Sequence, residues 1–153
     1  LHITVDLSVE TSLSRFNLNS TYWDQYKNGG IRRFELYGTN DQSLTDRETN
    51  GSYEWPDGDD PNITGNWREE GMDGWQYIGE FETIKPSGLP GTQVVSNANG
   101  DTDRNYAREN GFEFEIPGGT SYRYIRLRAI ELWADGLEFI SIAELRFYGG
   151  PKE

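Results

Sequence analysis

The chain has no cysteine, a single histidine and no long apolar run. Without cysteine there is no disulfide, no thiol nucleophile and no thiolate metal site. His2 would have to serve any Ser-His-Asp triad alone, and it cannot build a zinc site of the usual histidine type. A membrane-crossing helix needs about 20 apolar residues in a row, so no direct membrane span is expected. Basic residues are outnumbered too. The formal net charge is −12, which opposes phosphate backbones and anionic membrane surfaces. Nucleic acid is therefore not an expected partner. The same acidity favours solubility. Carboxylates are plentiful, but nothing in one sequence selects two at the roughly 5–10 Å that glycoside hydrolysis requires. The expectation is that the chain is not an enzyme.

What is present points to β structure. A length of 153 residues suits one domain with its own core. Aromatics make up 14% of the chain, enough to fill a sandwich core and to furnish flat binding surfaces. The 18 glycines and 6 prolines follow no fixed period, so they mark turns rather than a fibrous repeat. The run YRYIRLRAIELWADGLEFISIAELRFYG, residues 122–149, carries two alternating segments around Ala134-Asp135-Gly136. In its second half Ile140, Ile142, Leu145 and Phe147 change phase at Ala143-Glu144, which predicts a bulge. Further strands are read at His2–Leu7, Ser12–Asn19, Ile31–Tyr37, Trp75–Thr83 and Phe112–Ile116. Asn105–Gly111 reads as one short helical turn. About seven or eight mostly antiparallel strands with turn signals between them predict an all-β sandwich or jelly roll.

Residues 42–74 hold many acids, Gly, Asn and two Trp without a sustained apolar period. They read as a long acidic loop insertion, functional or mobile. Within it Asp57-Gly58-Asp59-Asp60-Pro61-Asn62 departs from the EF-hand pattern. Pro61 stands where a ligand belongs, and Arg68 stands in place of the bidentate glutamate. The better reading is a solvated acidic loop. Trp55 and Trp67 flank it, placed either to pin the loop or to face a ligand.

The order ITVDL, SRFNL, RRFELYGTND, WQYIGEF, YRYIRLR and IAELRFYG resembles the discoidin, or coagulation factor V/VIII type C, domain. The wording is nearest to the C-terminal discoidin-like domain of Bacteroidetes surface lipoproteins that accompany glycan uptake, especially at Gly79–Pro90, GEFETIKPSGLP. The resemblance runs from Ile3 to Gly149 and is weakest across residues 42–74. It implies a galactose-binding-like jelly roll, export to the bacterial cell surface or outer membrane through a lipid anchor absent from this chain, and possible partnership with other surface glycan-uptake proteins. Such domains usually begin with strands and a DG-x-x-x-T-x-W loop that helps bind a structural calcium. This chain opens at Leu1 in strand pattern without that segment, which reads as a domain lacking its N-terminal strand and loop. The resemblance makes Glu144 a calcium ligand, but one glutamate cannot supply the roughly six to eight oxygens that calcium takes. No metal and no cofactor are expected.

The ligand candidates are loop residues. Sugars present an apolar C–H face and a rim of hydroxyls. Aromatic rings meet the face, and Asp, Asn, Gln or Arg meet the rim. Tyr22-Trp23-Asp24-Gln25-Tyr26 combines both. Its aromatics either face a ligand or fold back over the core. Trp133, with Asp135 beside it, is either a second platform or an aromatic packed at the sandwich rim. Arg123, Arg126 and Arg128 are expected to pair with strand acids such as Glu113, Glu115 or Glu131, with an anion site as the lesser reading. The function expected is non-catalytic carbohydrate binding by stacking and polar loop contacts. The alternative is a protein–protein or scaffold module with no sugar site.

Overall fold

The computed structural model describes residues 2–45, 73–95, 102–136 and 139–152. They hold six strands: β1 (His2–Asn19), β2 (Ile31–Thr39), β3 (Gln76–Glu82), β4 (Phe112–Glu115), β5 (Ser121–Leu132) and β6 (Glu144–Pro151). A short α-helix, α1 (Thr102–Asn105), runs into a π-helical turn at Tyr106–Asn110. All strand pairings are antiparallel. The all-β sandwich expected from the alternation is therefore present, with six strands among the described residues rather than seven or eight. The acidic stretch with Trp55, Asp57–Asn62 and Trp67 lies outside the described residues.

The count falls because two segments read separately are one strand. His2–Leu7 and Ser12–Asn19 both belong to β1. The sequence looks broken there because the register shifts between Asp6 and Thr11. Ser8 takes φ 71° at that point, and its N–H donates to Asp6 Oδ1 at 2.7 Å. The irregularity lets β1 serve two layers. Its first part pairs with β5, in the order β3-β2-β5-β1. Its second part lies between β4 and β6. A strand that changes sheet through a bulge is a recognised way to close a sandwich.

The core lies between these layers. Phe34 of β2 and Phe81 of β3 come from one side, and Phe16 of β1, Phe114 of β4 and Phe147 of β6 come from the other. Phe16 meets all four partners at centroid distances of 4.9–6.0 Å. Leu18, Leu36, Ile125 and Leu127 are among the buried residues around them.

Three local expectations are corrected. The two alternating segments around Ala134-Asp135-Gly136 read as a closing pair of strands, but β5 and β6 are not partners of each other, since both pair with β1. The phase change at Ala143-Glu144 is the start of β6 and not a bulge within a longer strand. Ile140 and Ile142 still pack against the core from an irregular segment. The arginine partners also differ. Arg123 pairs with Asp6 at 2.9 Å and Arg128 with Glu35 at 3.5 Å. Glu113 pairs with Arg15, and Glu131 with Arg32 and Arg33. Arg126 is buried, its guanidinium 4.2 Å over the Trp75 ring and its Nε donating to Thr4 Oγ1 at 2.9 Å. Burial pushes that guanidinium down to about 10.

Candidate functional site

The loop between β1 and β2 is held at both ends and along one side. The Ser20 N–H donates to Ala107 O at 3.0 Å, which ties the loop to the π-helical turn. The Trp133 N–H donates to Gly30 O at 3.0 Å, and the Ser141 N–H donates to Gly29 O at 2.8 Å. Two glycines make this closure possible. A Cβ on Gly30 would stand 2.4 Å from the Asp24 and Gln25 carbonyl oxygens, and one on Gly29 would stand 2.8 Å from the Phe139 ring.

The loop sorts the candidate residues into two groups. Tyr22 and Trp23 project outward, 60% and 72% exposed. Their rings touch edge to face at 4.6 Å. The Arg108 guanidinium lies 4.6 Å from the Tyr22 ring centre, so that ring is braced from the π-helical turn. Gln25 and Tyr26 turn inward, 3% and 2% exposed. Gln25 Nε2 donates to Thr21 O at 2.9 Å and also to Tyr22 O. Tyr26 Oη donates to Ile84 O at 2.9 Å. Burial raises the Tyr26 phenol well above its ordinary value, so it stays protonated and keeps donating. The structure therefore removes Gln25 and Tyr26 from direct contact with a ligand.

Asp24 is half-buried and occupied at both oxygens. Oδ1 accepts from Asn28 Nδ2 at 2.7 Å, and Oδ2 accepts from Ser141 Oγ at 2.8 Å. It fixes the loop against the segment leading into β6. Trp133 is half-buried at the end of β5. Its Nε1 donates to Thr83 Oγ1 at 3.0 Å, and its ring meets Tyr26 edge to face at 5.2 Å. No ring contact joins Trp133 to Tyr22 or Trp23 among the described residues. Asp135 is exposed beyond it.

Buried charges that sequence reasoning missed shape the next loop. Lys85 Nζ donates to the carbonyls of Leu89, Gly91 and Gln93 at 3.1, 2.5 and 2.6 Å. It also lies 4.5 Å from the Trp133 ring centre and 5.1 Å from that of Tyr26. Desolvation lowers its pKa, and Asp103 partly opposes that. Asp103 is fully buried and accepts from Ser87 N, Ser87 Oγ and Val95 N at 2.9, 2.6 and 2.9 Å. Burial works against its charge. The hydrogen bonds from Ser87 and Val95 together outweigh burial and hold the carboxyl below the usual range. One lysine and one aspartate thus shape residues 85–95 from inside. The only advance signal was a Lys beside the turn residues Pro86, Gly88, Pro90 and Gly91. Its partners are backbone groups, which a sequence pattern does not reveal.

Glu144 opens β6 and pairs with Arg146 at 3.2 Å. Among the described residues no three His, Asp or Glu side chains converge as metal ligands. Also among them, no helix is long and apolar enough to cross a membrane.

The chain matches a family model over residues 1–149. No curated protein matches it. Among solved structures it is similar to the SusE-like protein BT2857, at 28% identity and a TM-score of 0.66, with 99% of this chain and 47% of that one covered. The chain therefore spans about half the length of that protein. It is also similar to CBM32-3 from a family 31 glycoside hydrolase of Clostridium perfringens, at 14% identity and a TM-score of 0.54, with 97% and 65% covered. These likenesses agree with the sequence resemblance and the strand order: the fold is the galactose-binding-like jelly roll of discoidin domains. The chain belongs to the DUF5000 family, described as a domain of unknown function.

Proposed function

We propose that this domain is a non-catalytic carbohydrate-binding module, with Trp23 as the platform on which a sugar ring stacks. The observation that carries the reading is the outward pair Tyr22–Trp23 on a loop otherwise pinned by hydrogen bonds. Leaving a Trp in water forgoes about 2 kcal/mol of burial, so an exposed ring on an ordered loop invites a ligand. Tyr22, braced by Arg108, forms the wall beside the platform. Arg108, against the Tyr22 ring, is the polar group at hand for hydroxyls. Asp24 acts by holding the loop, since both its oxygens are engaged. We place the domain on the bacterial cell surface, within a longer lipid-anchored protein working beside other glycan-uptake proteins; the likeness to a SusE-like protein supports the surface location. Single sites of this kind are weak, and avidity in such an assembly compensates.

A glycan array with intact protein and Trp23→Ala tests the reading. Intact protein should bind at least one neutral glycan, and Trp23→Ala should lose it while melting at the same temperature. If the intact domain, within its full-length protein, retains no glycan at all, the scaffold role replaces this one.

A further inference from the structure

Two clefts lie side by side next to Trp133. One, of about 420 Å³, has Arg32, Glu82, Lys85 and Trp133 in its walls. The other, of about 510 Å³, has Arg32, Glu131, Trp133 and Asp135. Arg32, Gly91 and Trp133 line both, so the clefts form one groove with an Arg–Trp ridge across it. Each cleft alone falls within the roughly 300–1,000 Å³ of small-molecule sites.

The chemistry of the groove is specific. Arg32 is held between Glu82 at 3.2 Å and Glu131 at 3.0 Å, and its guanidinium sits 5.0 Å from the Trp133 ring centre. These acids come from β3 and β5 on either side of β2, so a carboxylate stands on each flank of the ridge. Asp135 adds a third at the far end. Lys85 is not available to a ligand, because three backbone carbonyls take its protons. An aromatic ridge with acceptors on both flanks suits a hydroxyl-rich chain that crosses it. Among the described residues lining the clefts, Glu82, Glu131 and Asp135 outnumber the accessible cation Arg32, and the chain as a whole carries −12, so an anionic polymer is repelled.

We propose that the Trp133 groove is a second sugar-recognising station, separate from Trp23, which makes this domain prefer the interior of a linear neutral oligosaccharide over a single terminal sugar. The inference rests on the carbohydrate reading above and adds the ligand's length and charge to it. Glu82, Glu131 and Asp135 accept hydroxyl hydrogens, Arg32 donates, and the part of Trp133 that lines both clefts, not the ring face that the cations cover, meets C–H groups.

Affinity should be measured against xylo-, cello- and malto-oligosaccharides of one to about six units, with oligogalacturonate as the anionic series. In a neutral series that binds, affinity should climb about tenfold from the monosaccharide to the longest member, the upper end for one aromatic contact with its hydrogen bonds. The anionic series should bind more weakly at low salt. Glu82→Ala combined with Asp135→Ala removes exposed side chains and should abolish the climb. Trp133→Phe keeps a ring against Tyr26 and should reduce the climb. Binding that does not depend on length, or a climb that survives the double substitution, overturns the groove. Failure of every series to bind overturns the groove, while the glycan array described above decides the carbohydrate reading separately.

Discussion

Tyr22 and Trp23 leave the same short loop that buries Gln25 and Tyr26 a few residues later. Both halves are an aromatic beside polar groups, and their sequences alone look equally suited to a sugar. The difference lies in what the backbone offers each. Gln25 satisfies the carbonyls of Thr21 and Tyr22, and Tyr26 reaches Ile84 O while its ring fills space beside Trp133. Among the described residues Tyr22 and Trp23 take up no such duty; each other and Arg108 are their ring partners there. Buried polar groups in this loop build it, and the exposed aromatics carry the binding role proposed above. Stability and binding should therefore respond to different halves.

Substitutions can separate the two. The largest loss of stability should come from the buried support. Lys85→Met leaves three carbonyls without their donor and should cost about 3 kcal/mol in urea unfolding. Tyr26→Phe removes only the hydrogen bond to Ile84 O and should cost about 1–2 kcal/mol by the same measurement. An acid titration probes the same support. The Asp103 carboxyl titrates below its ordinary value of 3.8, so the unfolded chain takes up that proton first as pH falls. Its stabilising contribution is complete above that value and is lost as pH drops through the lower folded one. Asp103→Asn should flatten the acid limb of the stability curve below about pH 4. The smallest effect on stability belongs to the exposed half: Trp23→Ala should change it by less than about 0.5 kcal/mol. A large destabilisation by Trp23→Ala would erase the contrast between the halves.

Strand positions were legible because a period of two reports which face is buried. Phe112 and Phe114, and Phe34 and Leu36, follow it directly. β1 was divided in reading because Ser8, Val9 and Glu10 interrupt the alternation where the strand changes layer. β6 was read too long because Ile140 and Ile142 are apolar for packing and not for pairing. The loop was legible as a candidate site but not as two halves. A loop has no period, and Gln25 turns inward for carbonyls that only the folded backbone brings near. The same reason hid Lys85 and Asp103. Trp133 packs on Tyr26 at the rim, as one of its two sequence readings has it, and it also lines two adjoining clefts.

The central claim is that Trp23 is surplus to folding and needed for binding. Calorimetric titration of intact protein and Trp23→Ala with one neutral glycan that the intact protein retains, paired with a thermal melt of each, tests it most directly. The account predicts an unchanged melting temperature and a loss of measurable binding in the variant. Equal affinity in the two proteins, with equal melting temperatures, would contradict it.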